Sequence, residues 1–406
     1  MRSSEARSTG RPVMLLVALL LVAVNLRLGV TSASALLTAL TASGALTPVA
    51  AIIVPSLPTA VFAVAGFGTA RLSARLGAER TVLAGLVALT AGLAIRGIPE
   101  PAVVVAGTVI ATGGLAIVNI LIPAVVRARF GARIGPVTTA YSTVMSLGSA
   151  AAAATAVPIA TALGSPSLGL AAWALPALIG LIVWSLAMPS PRDRFGPPAP
   201  AVAEGTAVDG RRTPLPAGTL LLAAYFSLQA LLSYVVMGWL PSIAQDAGIP
   251  AGRSGLLLGI AMAVGVPATA VVVALARSPR RMRIGFVLVA ASSLGALSGL
   301  LLAPAAAPEA WAALIGIGMC AFPLVLALIA GFGDSAAETA RVSSIVQSAG
   351  YSIATLGPLG AGALHQSTGT WSVVLIALGC CAALQGALGL ALTRVVARRR
   401  GTAAPS

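Results

Sequence analysis

Lysine is absent from this chain of 406 residues, histidine occurs once and cysteine three times. Each absence removes a class of function. Without lysine no phosphate-binding loop ending in Gly-Lys-Ser/Thr can form, so ATP-driven pumping by this chain alone is excluded. The single histidine, His365, has no acid at catalytic spacing. All ten acids (Glu5, Glu79, Glu100, Asp193, Glu204, Asp209, Asp246, Glu309, Asp334 and Glu338) fall in tails, loops or the ends of apolar runs. No His/Asp or metal constellation can therefore assemble inside a bilayer, and an embedded enzyme is not expected. Cys320, Cys380 and Cys381 all lie inside apolar runs. Neighbouring Cys380 and Cys381 point to different faces of a helix, and no histidine accompanies them at ligand spacing. They read as small hydrophobes, and neither a metal nor a cofactor is predicted.

Charge is also scarce. Only 9% of residues are charged and 58% are hydrophobic, with a mean hydropathy of +0.99. A soluble chain of this length needs more charge to cover its surface, so lipid must be the main solvent. The formal charge of +15 comes from arginines in small groups between apolar runs. Nucleic-acid binders gather their bases on one face beside aromatic platforms, so nucleic acid is not an expected partner.

What remains is a series of long apolar runs, near 13–38, 48–70, 81–97, 101–126, 136–162, 167–188, 218–240, 254–276, 284–303, 308–332, 342–364 and 371–393. They are continuous and not alternating, which predicts an all-α chain of twelve transmembrane helices and no β-barrel. The first run resembles a secretory signal, with Arg2, Arg7 and Arg11 ahead of it and Ala33-Ser34-Ala35 behind. Asn25 and Arg27 break its apolar stretch, so a retained helix is the reading taken.

Arginine placement fixes the expected topology. Arg2, Arg7 and Arg11 precede the first run. Clusters at 71–80, 127–133, 192–212 and 277–283 follow the second, fourth, sixth and eighth. Arg341 follows the tenth, and Arg394, Arg398, Arg399 and Arg400 close the chain. Twenty-two arginines thus share one side, which the positive-inside rule makes cytoplasmic, together with both termini. Arg96 and Arg253 are expected outside, and only Arg27 lies within a span.

The Pro- and Arg-rich stretch 189–217 reads as a cytoplasmic linker. It separates two six-helix blocks of equal length, 13–188 and 218–393, with tails at 1–12 and 394–406. Equal blocks joined on the cytoplasmic side suggest parallel repeats, as in major facilitator transporters.

Arg27 is the first functional candidate. It lies about 21 Å along a helix rising ~1.5 Å per residue from Val13, where a charge costs at least ~2.5–3.5 kcal/mol. With no acid at mid-span to pair with, a buried guanidinium invites an anion or a strongly polar acceptor. Asn25 and Thr31 share its helix. Asn119 on the fourth run and Tyr141 on the fifth follow. Gln229, Tyr234 and Trp239 mark the seventh, and Gln347 and Tyr351 recur four residues apart on the eleventh. A structural reading stands beside each of these. Polar side chains often bond helix to helix, for only ~0.6 kcal/mol on average. Trp239 beside Pro241 also suits an interfacial anchor, and Arg27 could bind helix carbonyls or snorkel.

Several short pieces in order resemble one family. They are Asn25-Leu26-Arg27 with Thr31-Ser32, Pro123 to Arg127 with Phe130, Tyr141 to Gly148, and Trp173 to Pro176. In the second half they are Gln229, Tyr234, Trp239-Leu240-Pro241, Asp246 to Gly248, Gly350-Tyr351, Gly357-Pro358, and His365 before Gly369-Thr370-Trp371. Through these the chain resembles the cyanate/nitroimidazole transporter branch of the major facilitator superfamily. The resemblance implies a twelve-helix plasma-membrane transporter with a central cavity, working by alternating access on cyanate, nitroimidazoles or other small polar solutes. Leu28 and Ala35 stand where the family often has proline, which predicts a differently bent first helix. Ala74 stands where the superfamily motif commonly has Asp. A monomer in the lipid bilayer, taking a small-molecule solute, is expected. The competing readings are an exporter of amphipathic drugs with Arg27 structural, and a membrane sensor or scaffold that transports nothing.

Overall fold

A computed structural model describes residues 2–130, 133–188, 215–275, 278–330, 332 and 336–402. Among these, every regular element is helical. The chain folds as two compact units, Met1–Arg211 and Arg212–Ser406. Of the expected linker, only residues 215–217 are among those described.

In the first unit α1 (Arg2–Ala42) is a single helix of 41 residues. Leucine, alanine and valine fill it, and the absence of proline at Leu28 and Ala35 leaves its hydrogen-bond ladder unbroken through the Asn25–Thr31 segment. The second expected span is divided. Thr47 caps the short α2 (Pro48–Ile53), a 3-10 turn covers Val54–Ser56, and α3 (Leu57–Leu76) follows. Pro55 and Pro58 remove two backbone donors here, which a tight turn tolerates better than a continuous helix.

Two long helices come next, α4 (Ala78–Ile95) and α5 (Pro101–Phe130). A Cβ on Gly92 would lie 2.3 Å from the Ala111 nitrogen, and one on Gly114 would lie 2.2 Å from the Gly85 carbonyl oxygen. Gly85 and Gly92, like Gly107 and Gly114, are two turns apart, so the glycines form a matched strip that lets the backbones touch. The unit is completed by α6 (Ile134–Ala162), α7 (Pro166–Ala171) and α8 (Ala174–Ala187). Its core includes Leu19, Val22, Leu26, Leu86, Leu93, Leu115 and Trp184.

The second unit contains α9 (Thr219–Asp246), α10 (Ala251–Leu275), α11 (Pro279–Leu302), α12 (Pro308–Met319), α13 (Ala321–Ala330), α14 (Ala336–Thr368) and α15 (Trp371–Thr402). Phe226, Phe286, Leu324, Val346 and Leu392 lie in its core. The tenth expected span is broken between α12 and α13 at Cys320, just ahead of Pro323.

Eleven helical segments among the described residues are long and apolar enough to cross a membrane. The eleventh expected run forms α14, a helix of 33 residues, yet it is not one of the eleven. Ser343, Ser344, Gln347, Ser348 and Ser352 make it the most polar of the long helices expected to span. Outward-facing side chains such as Leu186 (67% exposed) and Leu356 (64%) fit a surface solvated by lipid.

Candidate functional site

In the first unit the central segment of α1 is fastened on several sides. Asn25 is buried, and its Nδ2 donates to the Leu21 carbonyl at 2.8 Å and to the Pro176 carbonyl on α8 at 3.0 Å. Gly180 makes room for that amide, since a Cβ there would lie 3.2 Å from it. Thr31 is sealed from solvent, and its hydroxyl donates to the Ser149 carbonyl on α6 at 3.1 Å and to the Arg27 carbonyl at 3.3 Å. Both side chains therefore use their donors on helix backbone. Arg27 sits between them and is half-buried, whereas its neighbours Leu26 and Leu28 are 1% exposed.

Arg96 lies in the turn between α4 and α5, as expected of a loop arginine, but its side chain turns inward. It follows the last residue of α4 and is 1% exposed. One Nη1–H donates to the Gly29 carbonyl of α1 at 3.0 Å, while Nε and Nη2 are buried without a protein partner. A Cβ at Gly107 would come within 2.9 Å of the Arg96 Cγ. Gly107 on α5 is what admits the side chain, whereas a Cβ at Gly29 on α1 would meet Arg96 Nη2 only at an ordinary 3.6 Å. The short α4–α5 connection leaves the residue's Cα at the bundle end, and the long stem carries the charge inward to α1. A second arginine thus lies inside the first unit, at the level of α1 two residues beyond Arg27.

A cavity of about 10 Å³ lies beside Gly29, between Val30, Ser34, Thr108 and Thr112. That is room for one water molecule. Asn119 is half-buried on α5. It lies four residues before Pro123, which has no N–H to give to the Asn119 carbonyl. Tyr141 packs on the edge of the core.

At one end of this unit Arg129, in the last turn of α5, donates to the Glu79 carboxylate at 2.6 Å. The Trp184 indole donates to the Glu79 carbonyl at 3.1 Å. An acid in the first turn of α4 and a base in the last turn of α5 also suit the two helix dipoles.

The second unit has a polar network that centres on Gln229, which is buried. Its Nε2 donates to the Ser233 hydroxyl at 2.8 Å and reaches the Met319 carbonyl at 3.5 Å. That carbonyl is the one Pro323 cannot serve, so the amide compensates for the break between α12 and α13. The Gln229 Oε1 accepts from Gln385 on α15. Gln385 was not among the predicted residues, although a glutamine in the run Cys380–Leu392 is a plain signal.

Gln347 donates to Ser343 one turn away at 2.7 Å. Tyr351 stands edge-on to Phe226 with ring centres 5.6 Å apart, and Tyr234 packs against the same core.

Trp239 is not an interfacial anchor. It is 6% exposed, and its indole donates to the Pro358 carbonyl of α14 at 2.9 Å. Trp371 touches it with ring centres 5.2 Å apart, and His365 stacks on Trp371 at 4.0 Å with the planes 9° apart. The predicted residues thus fall into separate groups: the α1 segment in one unit, and the Gln229 network, the Tyr351 contact and the Trp239 ladder in the other.

Residues 15–358 match the family model described as Major Facilitator Superfamily. The chain is 29% identical to the 2-nitroimidazole transporter of Escherichia coli (strain K12), over 97% of its length and 99% of that protein. Over half of each chain it is 28% identical to the Cyanate transport protein CynX of the same organism. Among solved structures it superposes on a D-xylose-proton symporter with a TM-score of 0.69 at 15% identity, covering 94% of this chain and 96% of the other. The inward-open xylose transporter XylE from E. coli gives 0.70 at 13% identity, covering 93% and 95%. At such identities the likeness is one of fold.

Proposed function

Because the chain belongs to the Major Facilitator Superfamily, and is therefore a multi-pass membrane transporter and not an enzyme, we propose that it carries a small anionic or polar solute by alternating access. The solute class suggested is that of cyanate and nitroimidazoles. The observation that carries this reading is the place of Arg27. It is the fifteenth residue of the 30-residue span Val13–Ala42, half-buried between neighbours sealed in the core. A guanidinium at mid-span is costly in lipid and serves a path for charged or strongly polar cargo. Asn25 and Thr31 support it by fixing α1. Asn119, Tyr141, Gln229, Tyr234, Trp239, Gln347 and Tyr351 are the further residues we assign to solute contact or to shaping the path. The arginine distribution supports cytoplasmic placement of both termini, and we assign the protein to the plasma membrane as a monomer.

Proteoliposomes loaded separately with cyanate, nitrate and 2-nitroimidazole test this. Wild type moves at least one of them, and Arg27→Gln lowers anion flux tenfold or more, with Arg27→Lys in between. Wild-type flux of every anion in a folded Arg27→Gln variant sinks the anion-site reading.

A further inference from the structure

The aromatic ladder at one end of the second unit has a feature that packing does not require. Thr370 caps the start of α15, accepting from the Ser372 amide at 3.2 Å. Gly369 turns the chain with φ +68°, a conformation other residues resist. Its amide donates to the His365 carbonyl at 2.8 Å. The turn lays the last turn of α14 against the first residue of α15, so the His365 imidazole lies flat on the Trp371 indole. Trp371 is in turn backed by Trp239, which is pinned to Pro358.

Nothing comparable holds His365. Its Nδ1 is buried with no hydrogen-bond partner, and the residue as a whole is only half-buried. An imidazole nitrogen shut away from water is a standing cost that leaving the stack relieves. The ring therefore stays through its stacking contact while its polar edge favours departure. The lower indoles are fixed and the top ring is exchangeable.

We infer that Trp371 is a stacking platform for planar, electron-poor azoles, and that His365 is an internal placeholder such a solute displaces. The five-membered ring already seated there shows what shape the platform accepts. A nitro substituent withdraws electron density, which favours offset stacking on an electron-rich indole over the histidine ring. Displaced, His365 regains water at Nδ1, so exchange relieves a burial cost as it forms the new contact. The inference rests on the proposal above that the chain handles solutes of this class, and it adds the residues that select the azole from other small polar molecules.

The test uses the full chain, purified in detergent, with 2-nitroimidazole as the probe. Equilibrium dialysis measures binding, and influx into proteoliposomes measures transport. His365→Ala removes the competitor and should tighten binding roughly threefold to tenfold. Trp371→Leu should weaken it about tenfold, and Trp371→Phe should recover part of the loss. If wild type binds the azole and both His365→Ala and Trp371→Leu bind it equally well, the platform is overturned while the transport reading stands. Binding that depends on Trp371 without influx would uphold the platform and overturn transport of azoles. A wild-type chain that neither binds nor moves 2-nitroimidazole overturns both.

Discussion

Replacing Arg96 by methionine should make the protein more stable, although Arg96 is among its most deeply buried side chains. The guanidinium makes one bond, to the Gly29 carbonyl at 3.0 Å, and leaves Nε and Nη2 without protein partners. Losing a hydrogen bond from a charged donor costs about 1.5–3 kcal/mol. Each buried donor nitrogen without a partner imposes about 1–3 kcal/mol, and two such nitrogens are removed. Burial of the charge itself carries a penalty of several kcal/mol per ion, and among the described residues no acid forms an ion pair with Arg96. Methionine keeps most of the stem that packs beside Gly107 and leaves no polar atom behind. The balance favours Arg96→Met by about 1–4 kcal/mol, the range found when buried ions give way to apolar residues of similar volume. Thermal unfolding of the monodisperse protein in detergent reads this as a rise of about 2–4 °C for each kcal/mol. Arg96→Lys keeps the charge and loses the fork, and should melt below wild type. If Arg96→Met melts several degrees below wild type instead, the guanidinium is compensated in the folded state and the argument from unpartnered donors fails.

Gly92→Ala puts a methyl 2.3 Å from the Ala111 nitrogen, with backbone on the other side and no side chain to give way. The expected loss is about 1–3 kcal/mol by thermal melting, whereas Gly113→Ala, which meets nothing within 4 Å, should be neutral or better. The two glutamines of the second unit are expected to differ. Gln385→Leu strips a partner from the Gln229 Oε1 but also removes its own unpartnered Oε1, so its effect on melting is near zero. Gln229→Leu orphans both Gln385 and the Met319 carbonyl, and should cost about 1–3 kcal/mol more. Equal melting of the two variants would refute the assigned bond directions.

The class of fold was open to reading because lipid imposes few alternatives. Continuous apolar runs punctuated by arginine admit one architecture, and each expected run is helical over most of its described residues. Breaks within runs were partly legible too. Pro55 and Pro58 lie within the divided second span, in its 3-10 turn and at the start of α3, and Pro323 follows the break at Cys320. What was not legible is where the side chain of a loop arginine goes. Arg96 lies one residue beyond α4, but its side chain is long enough to pass Gly107 and reach the Gly29 carbonyl on α1. Gly29 and Gly107 lie far apart in the chain, so no local pattern announces them. Gln385 is different, since a glutamine in an apolar run is a local signal and was legible. Trp239 was ambiguous because an indole beside proline suits an interface as well as a core. Its partner, the Pro358 carbonyl, is 119 residues away.

Arg27 sits in the part of α1 that is fastened to its neighbours on three sides. Within seven residues, that helix gives Asn25 to a carbonyl of α8, Thr31 to a carbonyl of α6, and its own Gly29 carbonyl to Arg96 at the end of α4. Each of these partners lies on a different helix, so sliding or turning α1 would break all three together. An arginine side chain on a free helix loses much rotamer entropy when it grips a ligand, and a fixed helix at least removes the backbone part of that cost. The same fastening explains why Asn25 and Thr31 are polar in an otherwise apolar segment. Their donors are spent on neighbouring helices, so on the proposal that Arg27 grips the solute their contribution is to position Arg27. Selectivity for anions would then depend on α6 and α8 as much as on the charge, through carbonyls that no substitution of a single side chain can remove.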